Sequence, residues 1–420
     1  MTNTTDLRIG ALSSEGGDIW WGFVGPLALD HWGGSFATNL LTAASVLCLE
    51  YRTALLPMAP FLAKICAWSI TDPAIKLAVE TQFDFSIWKS TSQLEARALM
   101  LALVLLHSGV QCLPQQTGGE SPADRANKIP QGIMPAKDGS IILDTTETIN
   151  NLKIRFRISG PAGEFTTASK VPGGGKTTGA KGNLGLHVLL HGDSGSSFFD
   201  MPNQGVKNNL AGVTVLSPDR NLHWGGGSGF NRTDGVAHAQ AVNDLVYQTL
   251  PKYMAFNSSN VFFSGISGGS LLLSGYFMPA HMGNFAGNGV MLGCGAMEPR
   301  VEVSQSSRDA LMKTRLHYQS TQKELQHLQG SISATMKAYE KVVKDKGMKT
   351  EAINKLQTAN NKPVGGHCQF DEKGFGSGIQ LIADNYAAIM QGGNGEVPGI
   401  GNVLKGVSGQ ELKFSDGGAP

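Results

Sequence analysis

Val261-Phe262-Phe263-Ser264-Gly265-Ile266-Ser267-Gly268-Gly269-Ser270 is the stretch that decides how this chain folds. Val261–Phe263 is an apolar, β-forming run, and Leu271–Phe277 beyond it has the composition of a helix. Between them Ser267 stands in the pattern Gly265-x-Ser267-x-Gly269. A strand that turns sharply into a helix forces unusual backbone angles on the residue at the turn, and flanking glycines leave room for the chain to pass itself. Ser267 would then stand clear at the carboxyl edge of a sheet, where its hydroxyl is a candidate nucleophile. A chain rich in Gly and Ser produces this pattern by chance, so the weight lies in the strand–turn–helix context. Ser264 and Ser270 lie off the motif and read as structural.

Upstream, Leu189-Leu190-His191-Gly192-Asp193-Ser194-Gly195 is an apolar strand that ends in a loop of small residues. Such a loop can aim a backbone N–H at developing negative charge, together with the N–H that follows the nucleophile, here on Gly268. Asp193 and Ser194 are both candidates for the first donor, and an ordinary strand-to-helix turn is the bland alternative. Downstream, Pro363-Val364-Gly365-Gly366-His367-Cys368-Gln369-Phe370 presents a histidine after two glycines, late in the chain and ahead of a last helix at Ile379–Met390. His367 is therefore the candidate general base; His317 lies within a strand and His327 on a helix. A carboxylate between Ser267 and His367 would complete the order nucleophile, acid, base. Glu324 is the candidate, as the first carboxylate after the strand Arg315–Tyr318. A surface glutamate opening the next helix is the competing reading. Asp309 precedes that strand, Asp345 lies deep in a charged helical run, and Asp371 is too near His367.

Around these motifs the pattern alternates. Ile141–Thr146 and Leu152–Ser159 read as two antiparallel strands, preceded by a polar arm or loop from Leu113 to Gly139. Leu184–Leu190, Val213–Leu216, Val261–Phe263, Gly289–Leu292 and Arg315–Tyr318 read as buried strands, with helical spacing at Ala237–Met254 and Ser270–Pro279. Strands alternating with helices imply a mostly parallel central sheet flanked by helices. The charged stretch Gln319–Leu356 reads as a helical insertion beside the site, either a lid or a solvated helix pair. Gly175-Lys176-Thr177 lacks the glycine that a phosphate-binding loop needs five residues earlier, where Lys170 stands.

The balance of 34 basic and 33 acidic residues gives a net charge of +1, which offers no footprint for nucleic acid. None of the cysteines Cys48, Cys66, Cys112, Cys294 and Cys368 forms a CxxC pair, and there is no HExxH motif, so no metal is expected. Residues 97–112 hold a basic residue, the short apolar run Ala98–Leu106, and Val110 and Cys112 at the positions of a cleavage site, as in a secretory signal peptide. That run is too short to span a bilayer. Its internal place leaves two readings: residues 1–96 are an N-terminal extension of unknown role and a possible artefact of the gene model, or the run is a buried helix. On the first reading the mature domain is residues 113–420, is secreted, and is not stably inserted in a membrane. It then keeps only Cys294 and Cys368, each at the site's edge of the sheet, and a disulfide between them is expected; free buried thiols are the alternative. Asn231-Arg232-Thr233 and Asn257-Ser258-Ser259 would be glycosylation acceptors.

Residues from about 113 to 407 resemble the fungal secreted α/β-hydrolases, a group distantly similar to feruloyl esterases and polyhydroxybutyrate depolymerases. The resemblance rests on Leu189–Gly195, Trp224-Gly225-Gly226-Gly227, Gly265–Ser274 and Gly365–Gly378. It implies an α/β-hydrolase fold and a serine hydrolase that cleaves a small-molecule or polymeric ester through an acyl-enzyme, with no cofactor. A serine peptidase on the same fold and a non-catalytic binding protein on that scaffold are the alternatives.

Overall fold

The computed structural model describes residues 8–13, 19–23, 120–199 and 208–415. The expectations for the extension 1–96, apart from its two strands, and for the signal-like segment 97–112 lie outside them, as does the expected start near Leu113. Residues 1–115 and 116–420 form two units. In the first, β1 (Arg8–Ser13) pairs antiparallel with β2 (Ile19–Phe23).

Among its described residues the second unit is built on a sheet of ten strands. It opens with β3 (Gly132–Pro135), β4 (Ile141–Ile149) and β5 (Leu152–Gly160), which run antiparallel to their neighbours. Then come β6 (Gly185–Leu190), β7 (Leu210–Val215), β8 (Val261–Ile266), β9 (Gly289–Gly293), β10 (Arg315–Gln319) and β11 (Gln357–Asn360). A two-residue ribbon, β12 (Glu396–Val397) with β13 (Gly401–Asn402), precedes the edge strand β14 (Lys405–Gly406). The order across the sheet is β14-β11-β10-β9-β8-β6-β7-β5-β4-β3. From β7 to β11 every pair is parallel. Strands β6 to β9 are buried at every residue, as a parallel sheet covered on both faces requires.

Alternate side chains divide the core into two layers. Val261 and Phe263 face one layer, Phe262 and Ile266 the other. The first layer is closed by α2 (Gly235–Asp244), α5 (Gln326–Asp345) and the helical run after Ser267; the second by α7 (Phe375–Asp384) and α8 (Tyr386–Met390). Shorter helices are α1 (Pro122–Lys128), α3 (Gly268–Leu272), α4 (Gln305–Leu311) and α6 (Thr350–Leu356). Antiparallel strands leading into a right-ordered parallel sheet, helices on both faces and a sharp turn after β8 define the architecture. It is an α/β-hydrolase fold. Among the described residues no helix is long and apolar enough to cross a membrane.

Two wide turns have a local cause. Leu245–Thr249 and Leu273–Phe277 are single π-helical segments, each with a proline just beyond, Pro251 and Pro279. A proline ring clashes with the carbonyl four residues back, on Tyr247 and Gly275, and an expanded turn relieves that clash.

Three expectations change here. The arm from Leu113 to Gly139 contains α1 and β3. Ser121 caps α1 reciprocally with Asp124, and Arg155 ties the helix end to the sheet by donating to Ala126 O at 2.6 Å and Ile129 O at 3.0 Å. The stretch Gln319–Leu356 is neither a lid nor a solvated pair. Within it, α5 is the crossover helix between β10 and β11, and its Leu328, Ile332, Met336, Tyr339 and Val343 are buried in the first core layer. The Tyr339 hydroxyl donates to Ser274 O, which fixes α5 against the helix that follows Ser267. Finally, β11 is a strand where the apolar pattern of the sequence predicts none.

Candidate active site

Ser267 sits one residue past β8 with φ 49° and ψ −112°, a conformation that side-chain-bearing residues rarely adopt. Close packing of the turn explains why it persists. A β-carbon on Gly265 would lie 2.5 Å from Ser270 N, and one on Gly269 would lie 2.2 Å from Leu190 O, so both glycines of the motif are needed. The Ser267 N–H donates to Gly293 O at 2.8 Å, and its carbonyl accepts from Leu271 N at 3.1 Å. The single Ser270 Oγ–H is shared between Gly265 O at 2.7 Å and Gly293 O at 2.9 Å, which fits its expected structural part. Ser264 is buried and paired with His187 Nε2 at 2.8 Å.

His367 lies in the loop between β11 and α7. Its Nε2 is 3.0 Å from Ser267 Oγ, and its Nδ1 is 2.5 Å from Glu324 Oε1. Three loops, after β8, β10 and β11, thus converge on one hydrogen-bonded relay. The loop carrying His367 is braced by Thr321 Oγ1, which donates to Gly366 O at 3.0 Å, and by Gln369 Oε1, which accepts from Gly366 N at 2.8 Å. The His367 side chain is 22% exposed while that of Glu324 is fully buried, so one end of the relay meets solvent and the other does not. Glu324 keeps its carboxylate satisfied by accepting from Leu325 N at 2.9 Å and Ser320 Oγ at 3.1 Å. Asp309 pairs with Lys346 and Asp345 with Lys341, both away from His367, and Asp371 accepts from the Lys373 and Gly374 N–H groups.

The loop after β6 approaches the same place. Asp193 and Ser194 follow Gly192 in a tight turn in which Ser194 has φ 67°. Among the described residues no acceptor meets the N–H of Gly268, Asp193 or Ser194, whereas Gly192 N and Gly195 N are bonded within the turn. His191 anchors the turn. It is fully buried, its Nε2 accepts from Ser217 N at 2.9 Å, and its Nδ1–H therefore donates to Gly192 O at 2.5 Å. Burial pulls its pKa down to about 4, so the ring is neutral.

Cys294, one residue past β9, forms a disulfide with Cys368, which directly follows His367; their Cα atoms are 5.1 Å apart. These two sulfurs and His367 are the one group with metal-ligand proximity among the described residues, and the bond between the sulfurs removes them as thiolate ligands. Asn231 and Asn257 are both exposed, each in a turn.

A further residue packs against the loop after β6 with no signal in the sequence. Arg232 is buried and forks onto the Asp193 carboxylate, with Nη1 to Oδ1 at 2.9 Å and Nη2 to Oδ2 at 2.7 Å. In the sequence it stood only as the middle of a glycosylation triplet. A pairing across 39 residues leaves no local spacing to find it by.

No family model matches the chain, and no curated sequence does. Among solved structures the chain is similar to a thermostable esterase, with 14% identity, a TM-score of 0.38, and 59% of this chain and 61% of that one covered. It is similar to the S954A mutant of the feruloyl esterase module of Clostridium thermocellum complexed with sinapinate, with 12% identity, TM-score 0.38, and 60% and 88% covered. It is similar also to fungal esterases from Rhizomucor miehei, with 12% identity, TM-score 0.39, and 67% and 94% covered.

Proposed function

We propose that this chain is a serine hydrolase that cleaves a carboxylic ester, of a small molecule or a polymer, through an acyl-enzyme. The observation that carries the reading is the continuous relay from Ser267 through His367 to Glu324, at 3.0 and 2.5 Å, ending on a strained turn. His367 Nε2 takes the Ser267 proton as Oγ attacks the ester carbonyl, and the same proton later goes to the leaving alcohol. Glu324 accepts from Nδ1–H, which holds the imidazole in the tautomer that leaves Nε2 free and stabilises the imidazolium. The N–H of Gly268, with that of Asp193 or Ser194, holds the tetrahedral oxyanion. A water activated by His367 then releases the acid.

The experiment is labelling with a fluorophosphonate, combined with turnover of p-nitrophenyl esters of graded chain length and of peptide amides. Ester turnover and labelling are expected in the parent, and Ser267→Ala should lose both while keeping its melting temperature. Amide turnover exceeding ester turnover would replace the reading by a peptidase, and an unlabelled parent would replace it by a binding protein. Work outside the cell is part of the same proposal, supported by the Cys294–Cys368 disulfide and the two exposed acceptor asparagines.

A further inference from the structure

We propose that Arg232 is a positioning residue for the oxyanion site, acting through Asp193; the proposal rests on the serine-hydrolase reading above. Arg232 is only 1% exposed at its side chain, and every arm of its guanidinium is committed. Nε donates to Gly229 O at 2.7 Å, Nη1 to Trp224 O at 3.0 Å as well as to Asp193 Oδ1, and Nη2 to Asp193 Oδ2. Its own carbonyl accepts from the Tyr276 hydroxyl at 3.0 Å, which ties it to the helical run that follows Ser267. The fork is therefore a fixed point and not a floating surface pair.

Asp193 carries that fixed point into the site. A β-carbon placed on Gly268 would lie 2.0 Å from Asp193 Oδ1 and 2.6 Å from its Cγ, so the carboxylate rests directly on the residue after the nucleophile. Both sets of candidate donors, the Gly268 N–H on one side and the Asp193 or Ser194 N–H on the other, are thus spaced by this one side chain. Charge adds a second reason. The Asp193 carboxylate is 30% exposed and lies beside the place where negative charge develops during attack. Unpaired, it would oppose the oxyanion; forked by Arg232, it presents a neutral pair. Geometry and electrostatics give the same assignment, and they make a signed prediction that a purely structural role does not.

The test uses an alkyl trifluoromethyl ketone alongside an ester substrate. Ser267 Oγ bonds to the ketone's carbonyl carbon, its proton passes to His367, and the carbonyl π pair becomes an oxyanion, so between variants that keep Ser267, His367 and Glu324 a change in affinity reports the oxyanion site. Arg232→Met is expected to lose about a hundredfold in kcat and in ketone affinity, the scale of losing one oxyanion donor, with KM within about threefold. Adding Asp193→Asn to it removes the bare carboxylate and should recover about tenfold of both. A double variant no better than Arg232→Met, or a loss confined to KM, overturns the proposal. Should Arg232→Met show no cooperative melt, Arg232→Lys keeps the charge without the fork, and about a tenfold loss in kcat is expected; parental kcat there overturns it equally. A parent inert to fluorophosphonate and esters would sink the hydrolase reading itself, whereas an active parent matched by Arg232→Met sinks the positioning role alone.

Discussion

Replacing Glu324 by glutamine separates the two tasks proposed for its carboxylate. Oε1 accepts both His367 Nδ1–H at 2.5 Å and Leu325 N–H at 2.9 Å, while Oε2 faces Ser320 Oγ at 3.1 Å. A glutamine with its carbonyl in the Oε1 place keeps the first two bonds. Its amide group then donates to Ser320 Oγ, whose hydroxyl can rotate. Orientation and tautomer of His367 survive, and what disappears is the negative charge that favours the imidazolium. Two unit charges about 4 Å apart attract by about 4 kcal/mol at an effective dielectric near 20, and the amide dipole restores part of this. The net loss is about 2–3 kcal/mol, or roughly 30- to 150-fold in kcat. Glu324→Leu removes the acceptor as well, leaves Leu325 N–H unpaired and lets the His367 proton shift to Nε2, and should cost about 10⁴-fold, as loss of the correct tautomer does in other relays. The assay is kcat on a p-nitrophenyl ester at pH 8, with circular dichroism to certify the fold. Glu324→Gln within threefold of the parent would refute the charge argument. Equal losses for Gln and Leu would refute the claim that the amide keeps the imidazole oriented.

Three other outcomes are expected. His187, His191 and His317 are fully buried, and burial brings each pKa from 6.5 down to about 4. Depressed in the fold, they stay neutral while the unfolded chain takes up protons, so their contribution is whole above pH 6.5 and is lost as pH falls towards 4. At pH 5 each should remove about 2 kcal/mol of unfolding free energy, read from urea melts; imidazole NMR resonances titrating near 6.5 would disprove this. Cys294→Ser with Cys368→Ser opens a bridge spanning 74 residues and should lower stability by about 4 kcal/mol on the chain-entropy estimate. Because Cys368 adjoins His367, kcat should fall as well, and an unchanged melt and kcat would show the bridge to be idle. Mass spectrometry of the protein from its native source should find glycan on Asn231 and Asn257; two bare asparagines would count against the extracellular reading.

How much of this was legible in the sequence depended on whether the signal was local. The turn after β8 declares itself because apolar strand, glycines and helix are contiguous, and His367 follows two glycines in one loop. Glu324 was reachable by order along the chain, since β10 is apolar at Leu316 and Tyr318. β11 escaped because Gln357, Thr358 and Asn360 are polar. They are buried beside His317 and Gln319, where His317 Nδ1 meets Thr358 Oγ1 at 2.9 Å and Gln319 Nε2 donates to Asn360 Oδ1 at 3.1 Å. A strand that satisfies its neighbours by hydrogen bonds shows no apolar alternation. The helix α5 was misjudged for the opposite reason. Its charged outer face dominates the composition, while the buried stripe from Leu328 to Val343 shows only when read at helical spacing.

The backbone angles at the sheet's carboxyl edge bear on how this protein can change. Ser194, Ser197, Ser267, Cys294 and Cys368 all hold side chains at positive φ, and all lie in the loops around the relay. Each such residue costs of order 1 kcal/mol relative to glycine or to relaxed backbone. Glycine would relax any of them, yet at Ser267 it deletes the hydroxyl and at either cysteine it deletes the bridge. Heat tolerance therefore cannot be gained by that route at Ser267, Cys294 or Cys368 without losing the hydroxyl or the bridge, whereas Ser194 and Ser197 can be relaxed with their backbone N–H groups kept. Lineages or libraries selected for it should keep Ser267, Cys294 and Cys368 and take their gains at Ser194, at Ser197 and on the outer helices.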